Sequence, residues 1–89
     1  MRPFRTTGRF EKEFKLAVRR GKDITKLQAV MRALIQEVPL DPGLRDHVLK
    51  GKFSGRRECH IEPDWLLVYK LERGIIIFER TGTHADLFG

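Results

Sequence analysis

Three histidines, His47, His60 and His84, lie in the second half of this 89-residue chain, each near an ionisable companion. His47 follows Asp46, His60 precedes Asp64 by four residues, and His84 comes four residues after Arg80 and two before Asp86. Imidazole titrates near neutral pH, so it can take a proton and return it within one reaction cycle. Any one of the three could be structural, but as a set they point to proton transfer. Nucleophilic chemistry has less support: Ser54 sits in no GxSxG elbow, and Cys59 lies in an extended stretch, where it reads as a small buried filler. No HExxH or other tight ligand spacing is present, so no metal site is expected. A lone cysteine excludes an internal disulfide and the cysteine-based zinc sites. The eight glycines form no Walker or dinucleotide pattern, so no cofactor is expected either.

Charge narrows the substrate class. The chain carries 18 Lys and Arg against 12 acids, a net +6, with a pI near 10.0. Residues 1–40 hold ten of the basic side chains and four acids, whereas residues 41–89 balance at eight and eight. Such a surplus on one segment is the footprint of a polyanion binder, although it also suits a face that merely keeps the protein in solution. Titratable histidines in a basic protein without a metal motif suit cleavage of RNA through its own 2′-hydroxyl. That reaction needs a base near the 2′-oxygen, an acid near the leaving 5′-oxygen and a cation at the phosphate.

The elements that must position these groups can be read from periodicity. Phe10, Phe14, Ala17 and Val18 form an apolar stripe on a helix over Arg9–Arg20, with Thr6 or Thr7 as its cap and Gly21 as its stop. Asp23 caps a second helix, whose apolar positions run from Ile24 to Val38 and which ends before Pro39. After the turn at Asp41-Pro42-Gly43 the period becomes extended. Strands are expected at Asp46–Leu49, Arg57–Ile61, Trp65–Leu71 and Ile75–Arg80, and Arg2–Arg5 is a further short candidate. The unbroken apolar run Ile75–Phe78 suits a central strand covered on both faces. Two antiparallel helices followed by a four-stranded sheet make an α+β domain. At this length one domain over residues 1–89 is expected, because so short a chain buries only about 60–65% of its unfolded surface. No apolar run approaches the roughly 20 residues needed to span a bilayer, and the basic start lacks a secretory apolar core. A cytoplasmic protein without membrane contact is expected.

The C-terminal half resembles a known family. Asp46-His47, Leu49 and Gly51, the Gly55-x-Arg57-x-x-His60 spacing, Glu62-Pro63-Asp64-Trp65, Tyr69-Lys70, and Phe78-Glu79-Arg80-Thr81-Gly82-Thr83-His84 with Leu87-Phe88 are similar to the YafQ-type toxins of the RelE superfamily. The match runs almost continuously from Leu44 to Gly89, and residues 1–43 agree in pattern, including the Gly21-Lys22-Asp23 link.

The resemblance implies a bacterial toxin that enters the ribosomal A site, cleaves the mRNA being translated, and is held inactive by a cognate antitoxin. It implies two N-terminal helices packed on a curved, mostly antiparallel sheet, and a toxin that is monomeric alone. The family's active-site positions fall on His47, His60, Asp64, Arg80, His84 and Phe88. His84 is expected as general acid or base, with His47, His60 and Asp64 in partner proton transfer and placement. Arg80 would stabilise the phosphate, Phe88 would stack on a base or close the core, and Arg57 would contact substrate. The basic residues Arg9, Lys12, Lys15, Arg19, Arg20 and Lys22 would dock on ribosomal RNA. Glu58-Cys59 departs from the family pattern. The rival expectation is a non-catalytic RNA- or antitoxin-binding module of the same fold.

Overall fold

A computed structural model describes all 89 residues. The elements are β1 (Phe4–Thr6), α1 (Gly8–Arg19), α2 (Ile24–Ile35), β2 (His47–Val48), β3 (Arg57–Glu62), β4 (Trp65–Glu72), β5 (Ile75–Gly82) and α3 (His84–Phe88), with one-turn 3-10 helices at Pro42–Leu44 and Gly51–Phe53. Helix α1 starts where Thr7 Oγ1 accepts the Phe10 N–H at 3.0 Å, satisfying one orphan donor of the first turn. It stops at Gly21, whose φ of +76° lets the Lys22 N–H reach back to the Ala17 carbonyl at 3.1 Å. Asp23 then caps α2 by accepting the Thr25 N–H at 3.1 Å.

Helix α2 ends at Ile35, short of the expected Pro39. The same closing motif intervenes: Glu37 takes a left-handed φ of 60°, and the Val38 N–H bonds the Ala33 carbonyl at 2.9 Å. Glycine is the usual residue for this conformation.

The sheet has five strands, not four, in the order β1-β5-β4-β3-β2. The extra strand is β1, parallel to β5 with Phe4 opposite Ile76 and Thr6 opposite Phe78, and the other pairings are antiparallel. Strand β5 is therefore interior, as its continuous apolar run suggested. The expected Asp46–Leu49 strand contracts to two residues, with His47 opposite Glu58. Between β4 and β5, Tyr69 faces Phe78 and Val68 faces Arg80, so Glu79 is the extra residue of a bulge. A bulge of this kind re-aims the side chains on either side of it.

Both faces of the sheet are covered. Phe10 and Ala17 of α1, together with Leu27, Val30 and Leu34 of α2, pack on Cys59, Ile61, Trp65, Leu67, Tyr69, Ile76 and Phe78. On the other face, Leu66 and Val68 meet Leu87 of α3 and Leu49. Trp65 to Tyr69 are all buried as a result. Trp65 is core, and its Nε1–H donates to Thr81 Oγ1 at 3.0 Å. Cys59 is the buried filler expected, its thiol pushed up to about 12 by desolvation and by the nearby Asp46 and Glu58.

Candidate active site

Strand alternation sends Cys59 and Ile61 toward the helices and Glu58 and His60 to the opposite face. Pairing of β2 with β3 sets His47 beside them, its ring 6.0 Å from that of His60. Helix α3 completes the set: His84 and Phe88 are spaced i, i+4 on one side of a five-residue helix. The His84 ring lies 5.8 Å from His60 and 6.5 Å from Phe88, and Phe88 meets Phe53 edge-on at 5.1 Å. Five rings form one row on the face away from α1 and α2. Phe88 is 43% exposed, and it is Leu87 that closes the core.

His84 is oriented by Asp64. One carboxylate oxygen, Oδ1, accepts both the His84 backbone N–H at 2.9 Å and the ring Nδ1–H at 2.7 Å. The backbone bond and then the ring bond hold the Asp64 carboxyl below its ordinary range. With Nδ1 donating to a carboxylate, Nε2 is left available to exchange a proton, the tautomer a general base needs.

Several contacts fix α3. Thr83 and Asp86 form a capping box. Arg20, next to the end of α1, donates to Asp86 Oδ2 at 2.7 Å. A Cβ added to Gly82 would lie 2.9 Å from the Asp86 side chain, so only glycine lets α3 turn this tightly off β5. The Arg20 guanidinium, helped by the Thr83 N–H, lowers the Asp86 carboxyl from 3.8 to about 2. A carboxyl depressed by folding stabilises the native state above its unfolded pKa and loses that contribution as protons bind. Wild type should therefore exceed Asp86→Asn in stability at neutral pH, by less than about 1 kcal/mol for so exposed a pair. The difference should vanish as pH falls from 3.8 toward about 2, as read by denaturant midpoints across that window.

His47 belongs to a second pair. Its Nδ1 lies 2.8 Å from the Arg45 carbonyl, which can only accept, so Nδ1 carries a proton. Its Nε2 lies 3.1 Å from Oε2 of Glu58, and Glu58 is 5% exposed. The half-exposed imidazole thus sits directly against a buried carboxylate. Glu58 Oε1 and His60 Nδ1 are buried without partners. Ligand atoms of His47, Glu58 and His60 all lie within 4.8 Å of one another, and the set suits an ion that accepts nitrogen and oxygen ligands, such as zinc or copper(II). Tight ligand spacing in the sequence is not required for such a set, because pairing of β2 with β3 assembles donors that are scattered along the chain.

Arg80 is bound by a residue that the motifs do not indicate. Glu13 of α1 accepts from Arg80 Nε at 2.9 Å and from Nη2 at 2.7 Å. The two side chains are only 12% and 15% exposed. Arg80 Nη2 also reaches the Asp86 carbonyl at 3.3 Å, tying it to α3. Its Nη1 donors remain for a phosphate. Glu13, Glu58 and Phe53 are thus site residues without a signal in the sequence, since each is defined by a partner distant along the chain.

Arg57 is not brought to the site. Alternation along β3 turns it toward the helix side, where its Nη2 pairs with Asp46 Oδ2 at 3.1 Å and Asp46 Oδ1 accepts from the Tyr69 hydroxyl at 2.6 Å. The expected basic face also divides. Arg20 is engaged by Asp86, and Lys22 by Glu62 at 3.3 Å with its ammonium 5.7 Å above the Trp65 ring. Arg9, Lys12, Lys15 and Arg19 are exposed and pair with no carboxylate.

The model of a bacterial toxin of type II toxin–antitoxin systems, YafQ, matches residues 2–89. The chain is 49% identical over 84 residues to the mRNA interferase toxin YafQ of Escherichia coli, covering 93% of this chain and 91% of that one. It superposes with a TM-score of 0.93, at 47% identity and 100% coverage of both chains, on a chain of the E. coli DinJ–YafQ complex. It superposes with a TM-score of 0.92 on a metal-bound toxin from Helicobacter pylori, at 39% identity and over 99% of this chain and 100% of that one. No helix is long and apolar enough to cross a membrane.

Proposed function

Because the chain belongs to the YafQ family of bacterial toxins from type II toxin–antitoxin systems, we propose that it is an mRNA interferase that cuts translated mRNA in the ribosomal A site. The observation that carries this reading is the Asp64–His84 pair, one oxygen of which fixes both the backbone and the ring of His84. In the reaction, a base removes the proton of the 2′-hydroxyl, the 2′-oxygen attacks phosphorus, and the 5′-oxygen leaves with a proton from the acid. A 2′,3′-cyclic phosphate and a free 5′-hydroxyl result. His84 is one of the two proton-transfer groups, and the neighbouring His60 with the His47–Glu58 pair supplies the other. Arg80 stabilises the charge that builds on the phosphate. Phe88, exposed and backed by Phe53, is a platform for an unstacked base. No metal ion is needed, since each proton has a protein partner and Arg80 supplies the positive charge at the phosphate.

The test is a primer-extension map of a message incubated with toxin, with and without translating ribosomes, using toxin first stripped of transition metals by a chelator. Cuts that require ribosomes and survive stripping are expected. The donor set of His47, Glu58 and His60 supports one rival, a metal-dependent nuclease, for which stripped toxin would be inert and zinc or copper would restore it.

A cognate antitoxin completes the proposed system, on the pattern of the E. coli relative bound to DinJ. The unpaired cations of α1 serve ribosomal RNA. Replacing Lys12, Lys15 and Arg19 with Gln should weaken ribosome binding and flatten its salt dependence by up to about 0.9 units of log–log slope per lost contact. Binding titrations at several salt concentrations read this directly. An unchanged slope would make the face a solvated surface or an antitoxin site.

A further inference from the structure

A groove of about 340 Å³ opens beside Arg80, lined by Arg9, Lys52, Phe53, Arg56 and Glu79 as well. Its parts come from three places in the chain. Thr7, the α1 cap, donates its hydroxyl to the Glu79 carbonyl at 2.9 Å, which holds the first turn of α1, and Arg9 with it, against the bulge on β5. Lys52 and Phe53 come from the 3-10 turn Gly51–Phe53, and Arg56 follows it.

The charges are unequally used. Arg56 is paired with Glu79, and Arg80 with Glu13. Arg9 and Lys52 are exposed and meet no carboxylate, so two positive charges face the groove uncompensated. Phe53 joins the groove to the ring row, because the same side chain meets Phe88 edge-on. Cations beside an aromatic ring that leads on to Phe88, next to the Arg80 proposed to hold the phosphate, are the lining that a single nucleic-acid strand uses. An acidic peptide would use the charges but would have no need of the rings.

On the reading that this chain cleaves mRNA, we propose that Arg9 and Lys52 bind a backbone phosphate of the message flanking the scissile one, so that the groove carries the strand away from the cut. Arg9 thereby leaves the ribosome-docking face and joins the substrate site. The role is one of placement, since neither side chain touches the reacting atoms.

The experiment uses synthetic messages on ribosomes, each carrying one uncharged methylphosphonate at a different phosphate near the cut, with wild type and Arg9→Gln/Lys52→Gln toxin below saturation. At one position the neutral linkage should slow the wild type about tenfold, as expected for loss of a charge-assisted hydrogen bond. The double variant should be slowed similarly on the unmodified message and lose nothing further at that position. Equal losses for both proteins at every position, or a double variant that cuts like wild type, would overturn the inference alone. So would a variant that loses affinity for the antitoxin while cutting normally, since the groove would then serve an acidic protein. A wild type that leaves the unmodified message intact would overturn the cleavage reading and this inference with it.

Discussion

His84→Ala is expected to lower the single-turnover rate of mRNA cleavage roughly 10²- to 10⁴-fold, the range for losing a general acid or base. The protein should stay folded. The His84 side chain is 52% exposed, alanine is a good residue for the first helical position, and Asp64 keeps its bond to the backbone N–H of that position. Circular dichroism and rapid quench on programmed ribosomes check the two halves of the expectation. Asp64→Asn should cost less, because Nε2 survives while its tautomer and orientation are no longer enforced. A folded His84→Ala toxin cutting at near wild-type rate would remove His84 from the chemistry.

Arg80→Ala should lower the saturated cleavage rate by about 10²- to 10³-fold, on the scale of a lost transition-state donor. It carries a second cost: Glu13, 15% exposed, would lose its counter-ion, and breaking a largely buried pair destabilises strongly. The double variant Arg80→Ala/Glu13→Gln separates the two effects. Its thermal midpoint should recover toward wild type while its saturated rate stays as low as that of Arg80→Ala. Recovery of both would mean that Arg80 acts only as a brace between α1, β5 and α3.

Much of the site could be read from sequence because its residues sit on recognisable local elements. Phe10, Phe14 and Ala17 mark α1 by their spacing, and Thr7, Gly21 and Asp23 set its limits and the start of α2 through side-chain and backbone chemistry within a few residues. What could not be read depends on partners far along the chain. The parallel pairing of β1 has no local signature. Glu37 ends α2 in a conformation that favours glycine, so Pro39 is the more visible stop. Arg57 lies within a motif, yet alternation along β3 puts it on the opposite face from His60. Glu13 looks like one acid on a basic helix until β5 bulges and delivers Arg80 to it. The charge surplus marked residues 1–40 as a polyanion-binding segment, whereas the Glu13–Arg80 pair also ties α1 to the candidate site.

The parallel β1–β5 pairing also bears on folding. Thr7 meets Glu79 across 72 residues, and contacts so distant form slowly because a long loop must close before they give any return. The helices, with their local caps, and the β4–β5 hairpin can form early, whereas β1 can pair only once β5, the strand that carries Arg80, has been made. Strand β5 and helix α3 are the last elements to be synthesised, so the proposed active site should be completed late. The nascent toxin would pass most of its synthesis harmless, an interval in which an antitoxin already present could meet it before it can cut.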